Sequence, residues 1–236
     1  MGVASVFKLI KLEMKKIKIR GYIRGALIAN LVMIATLLIM IFASKYEKDM
    51  DFTSFTFTFS VVDTMVKGTF IVFASVLLAR FIIEEYKSNT ITVLFMYPVN
   101  RKKLITAKLL IVVLFTFTAT VLSNIFIDSV LCIINKFYNF IPDKLTTTIV
   151  INNFITIFMN GLTAAGMGLI PLYFGMRKKS VPTTIISSIL FVLIVCSNNG
   201  DFSLTSIIAI PITLSIIGAF IAYLSIKNIE RVDVVK

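Results

Sequence analysis

Histidine and tryptophan are absent from the 236-residue sequence, and only 15% of its residues are charged. Without histidine, Ser-His-Asp and Cys-His arrangements, the H-E-x-x-H zinc site and the usual imidazole proton shuttle are excluded. Most hydrolytic chemistry goes with them. The two cysteines, Cys132 and Cys196, lie inside hydrophobic stretches, with neither C-x-x-C spacing nor other soft ligands nearby. They read as buried inert thiols rather than as a disulfide. There is no internal repeat, no low-complexity linker and no stretch with the composition of a soluble domain.

What the sequence has in abundance is apolar surface: 58% of its residues are hydrophobic, and its mean hydropathy is +0.95. Soluble domains run about 45–50% apolar and about 25% charged, so this composition belongs to a polytopic membrane protein. A hydrocarbon core about 30 Å thick needs about 20 apolar residues per helix. Six such runs are present, near 22–44, 59–83, 104–135, 146–176, 181–197 and 204–226. The expected fold is an all-α membrane protein, one domain over 1–236. The third and fourth runs exceed one span and imply tilt or extension beyond the bilayer.

Charge sets the orientation. The N-terminus, the 80–108 stretch, Arg177 to Lys179 and the C-terminal tail together hold 19 Lys and Arg against 5 acidic residues, net +14. The loops on the other side hold 5 Lys against 7 acidic residues, net −2, and the two sums recover the chain's +12. Six spans with both termini in the cytoplasm satisfy this division. The basic excess is therefore topology rather than affinity for nucleic acid, and the basic segments lack the interleaved aromatics that stack bases. The long basic leader is not that of a cleaved signal, and Val6 stands where a myristoylation motif needs Ser or Thr. On a helix, Phe7, Ile10, Met14 and Ile17 share one face and Lys8, Lys11, Lys15 and Lys18 the adjoining one. This predicts an amphipathic helix along the inner leaflet, in contact with membrane lipids.

The longest polar stretch, between the second and third runs, reads R-F-I-I-E-E-Y-K-S-N-T-I-T-V-L-F-M-Y-P-V-N-R-K-K-L-I-T-A-K from Arg80 to Lys108. A helix leaving the bilayer at Ile83 is followed by Glu84 and Glu85, which open a short amphipathic element. Ile91, Leu94 and Phe95 form its apolar face, Pro98 ends it, and Arg101, Lys102 and Lys103 return the chain to the headgroups. The ordinary explanations are a helix cap in which the glutamates pair with Arg80 or Lys87, and topological anchoring by the basic run.

The order of these residues resembles the signature of type-2 ABC transporter permeases. There an acidic pair, a Gly or Asn followed by Thr, a Leu-rich turn, a Pro, a basic residue and a later Lys form a cytoplasmic coupling helix. Here the matching positions are Glu84, Glu85, Asn89, Thr90, Leu94, Pro98, Arg101 and Lys108, within a coupling segment 84–103. The family often has Gly where Asn89 stands. The resemblance implies that this segment docks in a cleft of a separate ABC ATPase subunit. It also implies a second permease copy, or a related permease, as partner. The chain has no G-x-x-x-x-G-K-[ST] motif, so it is no ATPase and carries no cofactor of its own. ATP and Mg belong to the partner subunit. A membrane protease built on Glu84-Glu85 is excluded, since it needs Arg at position 89 and histidines elsewhere.

Charges inside spans are costly and mark candidate functional groups. Asp63 and Lys67 stand four apart near the outer end of the second run, and Asn124 and Asp128 four apart on the third. A local ion pair and a helix-helix hydrogen bond are the ordinary readings; contact with substrate is the functional one. The D-F-T-S-F-T-F-T-F-S segment from Asp51 to Ser60 would show Phe55, Phe57 and Phe59 on one side as a strand, or Phe52, Phe55 and Phe59 as a helix, an aromatic edge at the outer interface either way. In the fourth run, Gly161 with Ala165 and Ala164 with Gly168 permit close helix approach, and Pro171 permits a kink. Compact permeases of this kind resemble those of bacitracin and lantibiotic self-protection. That implies an exporter of amphipathic peptides in a bacterial plasma membrane. Sodium, a drug or a lipid-linked sugar are the alternative substrates, and a non-transporting scaffold or sensor is the alternative class.

Overall fold

The computed structural model describes residues 19–44, 54–87, 101–138, 141–143, 145–196, 198–199, 202–203 and 209–232. Among these residues the regular structure is helical apart from one ladder of two residues a side, β1 (Asn198–Asn199) against β2 (Phe202–Ser203), antiparallel. The helices are α1 (Ile19–Ser44), α2 (Phe55–Leu78), α3 (Arg101–Tyr138), α4 (Thr147–Met167), α5 (Pro171–Lys178), α6 (Val181–Val195) and α7 (Ala209–Val232). The predicted amphipathic N-terminal helix and residues 88–100 of the coupling segment lie outside the described residues.

Five stretches are long and apolar enough to cross a membrane: Arg20–Ala43, Phe55–Tyr86, Lys102–Tyr138, Thr147–Lys178 and Ile210–Lys227. The expected fifth span, 181–197, forms the shorter apolar helix α6, whose 15 residues rise about 22 Å at 1.5 Å each. Helix α3, at 38 residues, rises about 57 Å and outruns the hydrocarbon core of about 30 Å.

One expectation about the second run is corrected. Glu84 and Glu85 stand in the first turn of the short α turn Glu84–Lys87, but it is joined to α2 without a break through a π turn, Ala79–Ile83. Glu84 keeps right-handed helical angles and its N–H reaches the Ala79 carbonyl, so backbone bonding passes straight through the acidic pair. An intrahelical partner for that N–H leaves no fresh N-terminus for the carboxylates to cap.

The chain forms two compact units. The first contains Phe70–Phe117 and Leu162–Lys236. Its core is Ile71, Ala164, Met167, Ile170 and Val195, closed by Phe191, Val192, Leu214 and Ile221. Between α4 and α5 the backbone tightens to i→i+3 bonds, Leu169 N–H to Gly166 and Ile170 N–H to Met167, just before Pro171. Proline has no N–H to continue the ladder, so α5 departs as a new helix. It ends at Lys179, whose left-handed φ of 46° turns the chain into Ser180 and α6. Gly168 lies against Ala74, where an added Cβ would come within 2.7 Å of the Ala74 methyl. The Ser75 and Ser188 hydroxyls join α2 to α6 at 2.8 Å inside the core. Ser75→Ala and Ser188→Ala should each cost about 1 kcal/mol, with a coupling of about 0.5–1 kcal/mol in a double-mutant cycle read by detergent unfolding. Strict additivity would show that the bond contributes nothing.

The second unit contains Arg20–Thr69 and Thr118–Gly161. Helix α1 buries Asn30, Met33, Leu37 and Ile41, a single stripe at helical spacing, and exposes Leu27, Ile28, Leu31, Val32, Ile39 and Phe42. An apolar outer face of that kind suits lipid rather than water. Thr69 Oγ1 meets Met33 Sδ at 3.5 Å, tying α2 to α1. Beyond α3, the Asn135 carboxamide accepts from the Ile141 N–H at 2.8 Å and donates to its carbonyl at 3.3 Å. That clamp holds Ile141 in an apolar cluster with Phe55 and Phe59, packed by Cys132 and Ile149. The aromatic edge expected from Phe55 and Phe59 is therefore corrected: both rings are enclosed, and Phe57 is the exposed one. Helical spacing turns Phe57 about 200° from Phe55, away from Ile141.

Candidate functional site

Two groups of polar side chains stand out against this apolar background, one in each unit. In the first unit Lys108, two turns into α3, is 2% exposed, and its ammonium pairs with the Glu85 carboxylate, 19% exposed. The same Nζ donates to the Phe81 carbonyl at 3.1 Å. A buried ammonium is tolerated only with such partners, since stripping it of water costs several kcal/mol. The π turn determines which residue meets it. One extra residue in the turn rotates everything after it by about 100° around the helix axis, which sets the face on which Glu85 emerges. Glu85 and Lys108 are 23 positions apart, at the two ends of the segment picked out by sequence. The pair is neither of the local alternatives, Arg80 or Lys87.

Of the other coupling residues, Glu84 is exposed on the last turn of this helix and Arg101 begins α3. Asn89, Thr90, Leu94 and Pro98 lie outside the described residues.

In the second unit Asp63, Lys67, Asn124 and Asp128 are all buried. The Asp63 carboxylate lies beside the Lys67 ammonium and accepts a hydrogen bond from Asn160. Asn153 Nδ2 donates to Asp128 Oδ2 at 2.8 Å, and Asp63 and Asp128 lie within electrostatic reach of one another. Asn153 and Asn160 are seven apart on α4, two turns on one face, and so serve both carboxylates. The sequence reading did not single them out, although their seven-residue spacing in an apolar run was the available signal. Asn124 does not make the interhelical bond expected of it. Among the described residues, neither atom of its carboxamide has a hydrogen-bond partner, nor does Asp128 Oδ1.

Long apolar helices with an outward lipophilic surface, a buried ion pair at one end of two of them and an enclosed polar cluster define a multi-pass membrane protein. Comparison with known proteins makes the class more specific. Residues 9–197 match the family model described as ABC-2 family transporter protein, and the chain belongs to that family. The uncharacterized protein YcbO of Bacillus subtilis (strain 168) is 40% identical over 225 residues, 95% of this chain and 99% of that one. No solved structure matches the chain. Membership makes the chain a membrane permease of an ABC transporter, a transmembrane component without an ATPase site of its own. An ABC ATPase partner is implied by the same membership.

Proposed function

We propose that the chain is the membrane subunit of an ATP-driven exporter, a dimer of permeases working with two ABC ATPase subunits that bind ATP and Mg. The observation that carries this reading is the Glu85–Lys108 tie at the two ends of the coupling signature. Closure of the ATPase subunits pushes on the segment bearing Asn89, Thr90, Leu94 and Pro98, flanked by Glu84 and Arg101. The ion pair passes that push to α2 and α3 together, switching the spans between inward-facing and outward-facing states. All six apolar stretches, α6 included, act as spans of one domain, with both termini in the cytoplasm of a bacterium and the net +14 face inside.

The proposed substrates are amphipathic antimicrobial peptides such as bacitracin or lantibiotics. Support comes from the exposed ring of Phe57 within the Phe/Thr stretch. Asp63, Lys67, Asn124 and Asp128 are the charged and polar groups such a peptide meets as the spans move. The test compares strains with and without the chain and its ATPase. Tolerance to bacitracin or a lantibiotic should rise with the pair and vanish with Pro98→Ala. Unchanged tolerance to both removes the peptide substrate. The exporter class is tested separately, by co-purification of a P-loop ATPase that is lost on Glu84→Lys; recovery of the chain alone would remove it.

A further inference from the structure

Among the described residues, the polar cluster of the second unit is short of positive charge. Two carboxylates, Asp63 and Asp128, and one ammonium, Lys67, are buried there, each 8% exposed or less. With all three ionised their sum is −1, and in a low-dielectric surround an uncompensated charge costs several kcal/mol. Lys67 stands beside Asp63, whereas Asp128 meets a neutral donor, Asn153, through one oxygen only. The next cation along α3, Lys136, is exposed and two turns away.

Three buried polar atoms without a hydrogen-bond partner among the described residues lie on Asn124 and Asp128. Asn124 is 0% exposed, and its Oδ1 and Nδ2, together with Asp128 Oδ1, have no hydrogen-bond partner. Four residues apart on α3, the two side chains lie one above the other on a single face. Buried polar atoms are ordinarily satisfied, so three orphans on adjoining side chains ask for a ligand. Its chemistry follows from theirs. Carboxylate and carboxamide oxygens are hard donors that suit alkali and alkaline-earth ions. A deficit of one charge selects a monovalent ion, and full enclosure of the donors excludes a bulky organic cation.

We propose that Asp128, Asn124 and Asp63 bind one alkali metal ion. Asp128 Oδ1 and Asn124 Oδ1 coordinate it, the Asp63 carboxylate adds field, and Asn124 Nδ2 donates to a water that completes the ion's shell. Lys67 then balances Asp63 while the ion balances Asp128. Ion binding is read on the isolated chain, with no exported substrate present, so its failure does not bear on the exporter reading.

The experiment uses the full chain in detergent or nanodiscs at constant pH and ionic strength, in NaCl, KCl or LiCl with choline chloride as reference. One ion should raise the unfolding temperature by about 2–4 °C at about five times its dissociation constant. Equilibrium binding of radioactive sodium or rubidium should give close to one ion per chain. Asp128→Asn keeps an acceptor for Asn153 and should abolish both responses. Asn124→Ala keeps every charge and should weaken binding at least tenfold, and it serves if Asp128→Asn fails to fold. Ser129→Ala, exposed beside the cluster, should change neither. Identical unfolding in all four salts overturns the site, as does an ion response that survives in Asp128→Asn. A second series at varied pH that moves the unfolding temperature while the four salts do not also overturns it, because the missing charge is then a proton.

Discussion

Exchange of Glu85 for lysine should abolish ATP hydrolysis coupled to the proposed transport while the partner ATPase still hydrolyses ATP on its own. The substitution sets a second ammonium against Lys108, which is 2% exposed and has no other carboxylate partner among the described residues. Losing one member of a buried pair costs about 3–5 kcal/mol, and like charge in its place adds repulsion. The neutral variants separate the two halves of the effect. Glu85→Ala strands a buried ammonium, whereas Lys108→Met leaves the carboxylate at 19% exposure, able to take up water, so it costs less stability. Charge reversal, Glu85→Lys with Lys108→Glu, restores coupling only in part. The pair is regained, but a carboxylate at position 108 faces the Phe81 carbonyl, acceptor against acceptor. Transport and ATPase assays in proteoliposomes, beside detergent unfolding, distinguish these cases. Wild-type coupling in Glu85→Lys would end the role assigned to the pair.

Gly218→Ala should do the greatest damage to folding. An added Cβ on Gly218 of α7 would lie 2.0 Å from the Gly166 carbonyl oxygen of α4 and 3.0 Å from its carbon. Both are backbone atoms, so no rotamer change relieves the clash and the helices must move apart. Overpacking of this kind costs about 1–3 kcal/mol, and with a rigid neighbour the upper end applies. Gly166→Ala meets Ser215 Oγ at 1.9 Å and its Cα at 2.9 Å, so Ser215→Gly should rescue it only partly. Gly168→Ala, which meets the Ala74 methyl at 2.7 Å, should be relieved more fully by Ala74→Gly. Unfolding titrations and size-exclusion profiles measure the series. A Gly218→Ala protein as stable as the parent would mean that α4 and α7 do not touch as described.

The same contact shows where sequence reasoning stopped. Gly161, Ala164, Ala165 and Gly168 were recognisable as a small-residue pattern because their spacing lies within one helix. The meeting of Gly166 with Gly218 was not, because nothing in either segment names the other as neighbour. Hydropathy found the spans, since length and apolarity are local properties, and α1 begins at Ile19 where a run was expected near 22. It could not separate Phe55 and Phe59 from Phe57. In a bilayer both the protein interior and the lipid are apolar, so period 3.6 divides faces without saying which one is buried. The polar residues were the readable part of the site, Glu85, Lys108, Asp63 and Asp128 among them, because charge in a span needs a reason. Their partners were not readable: Glu85 reaches Lys108 through a π turn that no residue pattern announced, and Asp128 reaches Asn153 on another helix.

Helix α6 bears on the lipid as well as on the protein. As a span it falls about 8 Å short of a hydrocarbon core of about 30 Å, from its 15 residues at 1.5 Å each. Its outward side chains, Ile186, Ile189, Leu190, Leu193 and Ile194, are apolar, while Asn198 and Asn199 follow within a few residues. With α6 as a span, as proposed, headgroups dip toward the polar ladder and the membrane beside it is dimpled. A dimple is a line of least resistance for an amphiphile leaving one leaflet, and its depth varies with acyl-chain length.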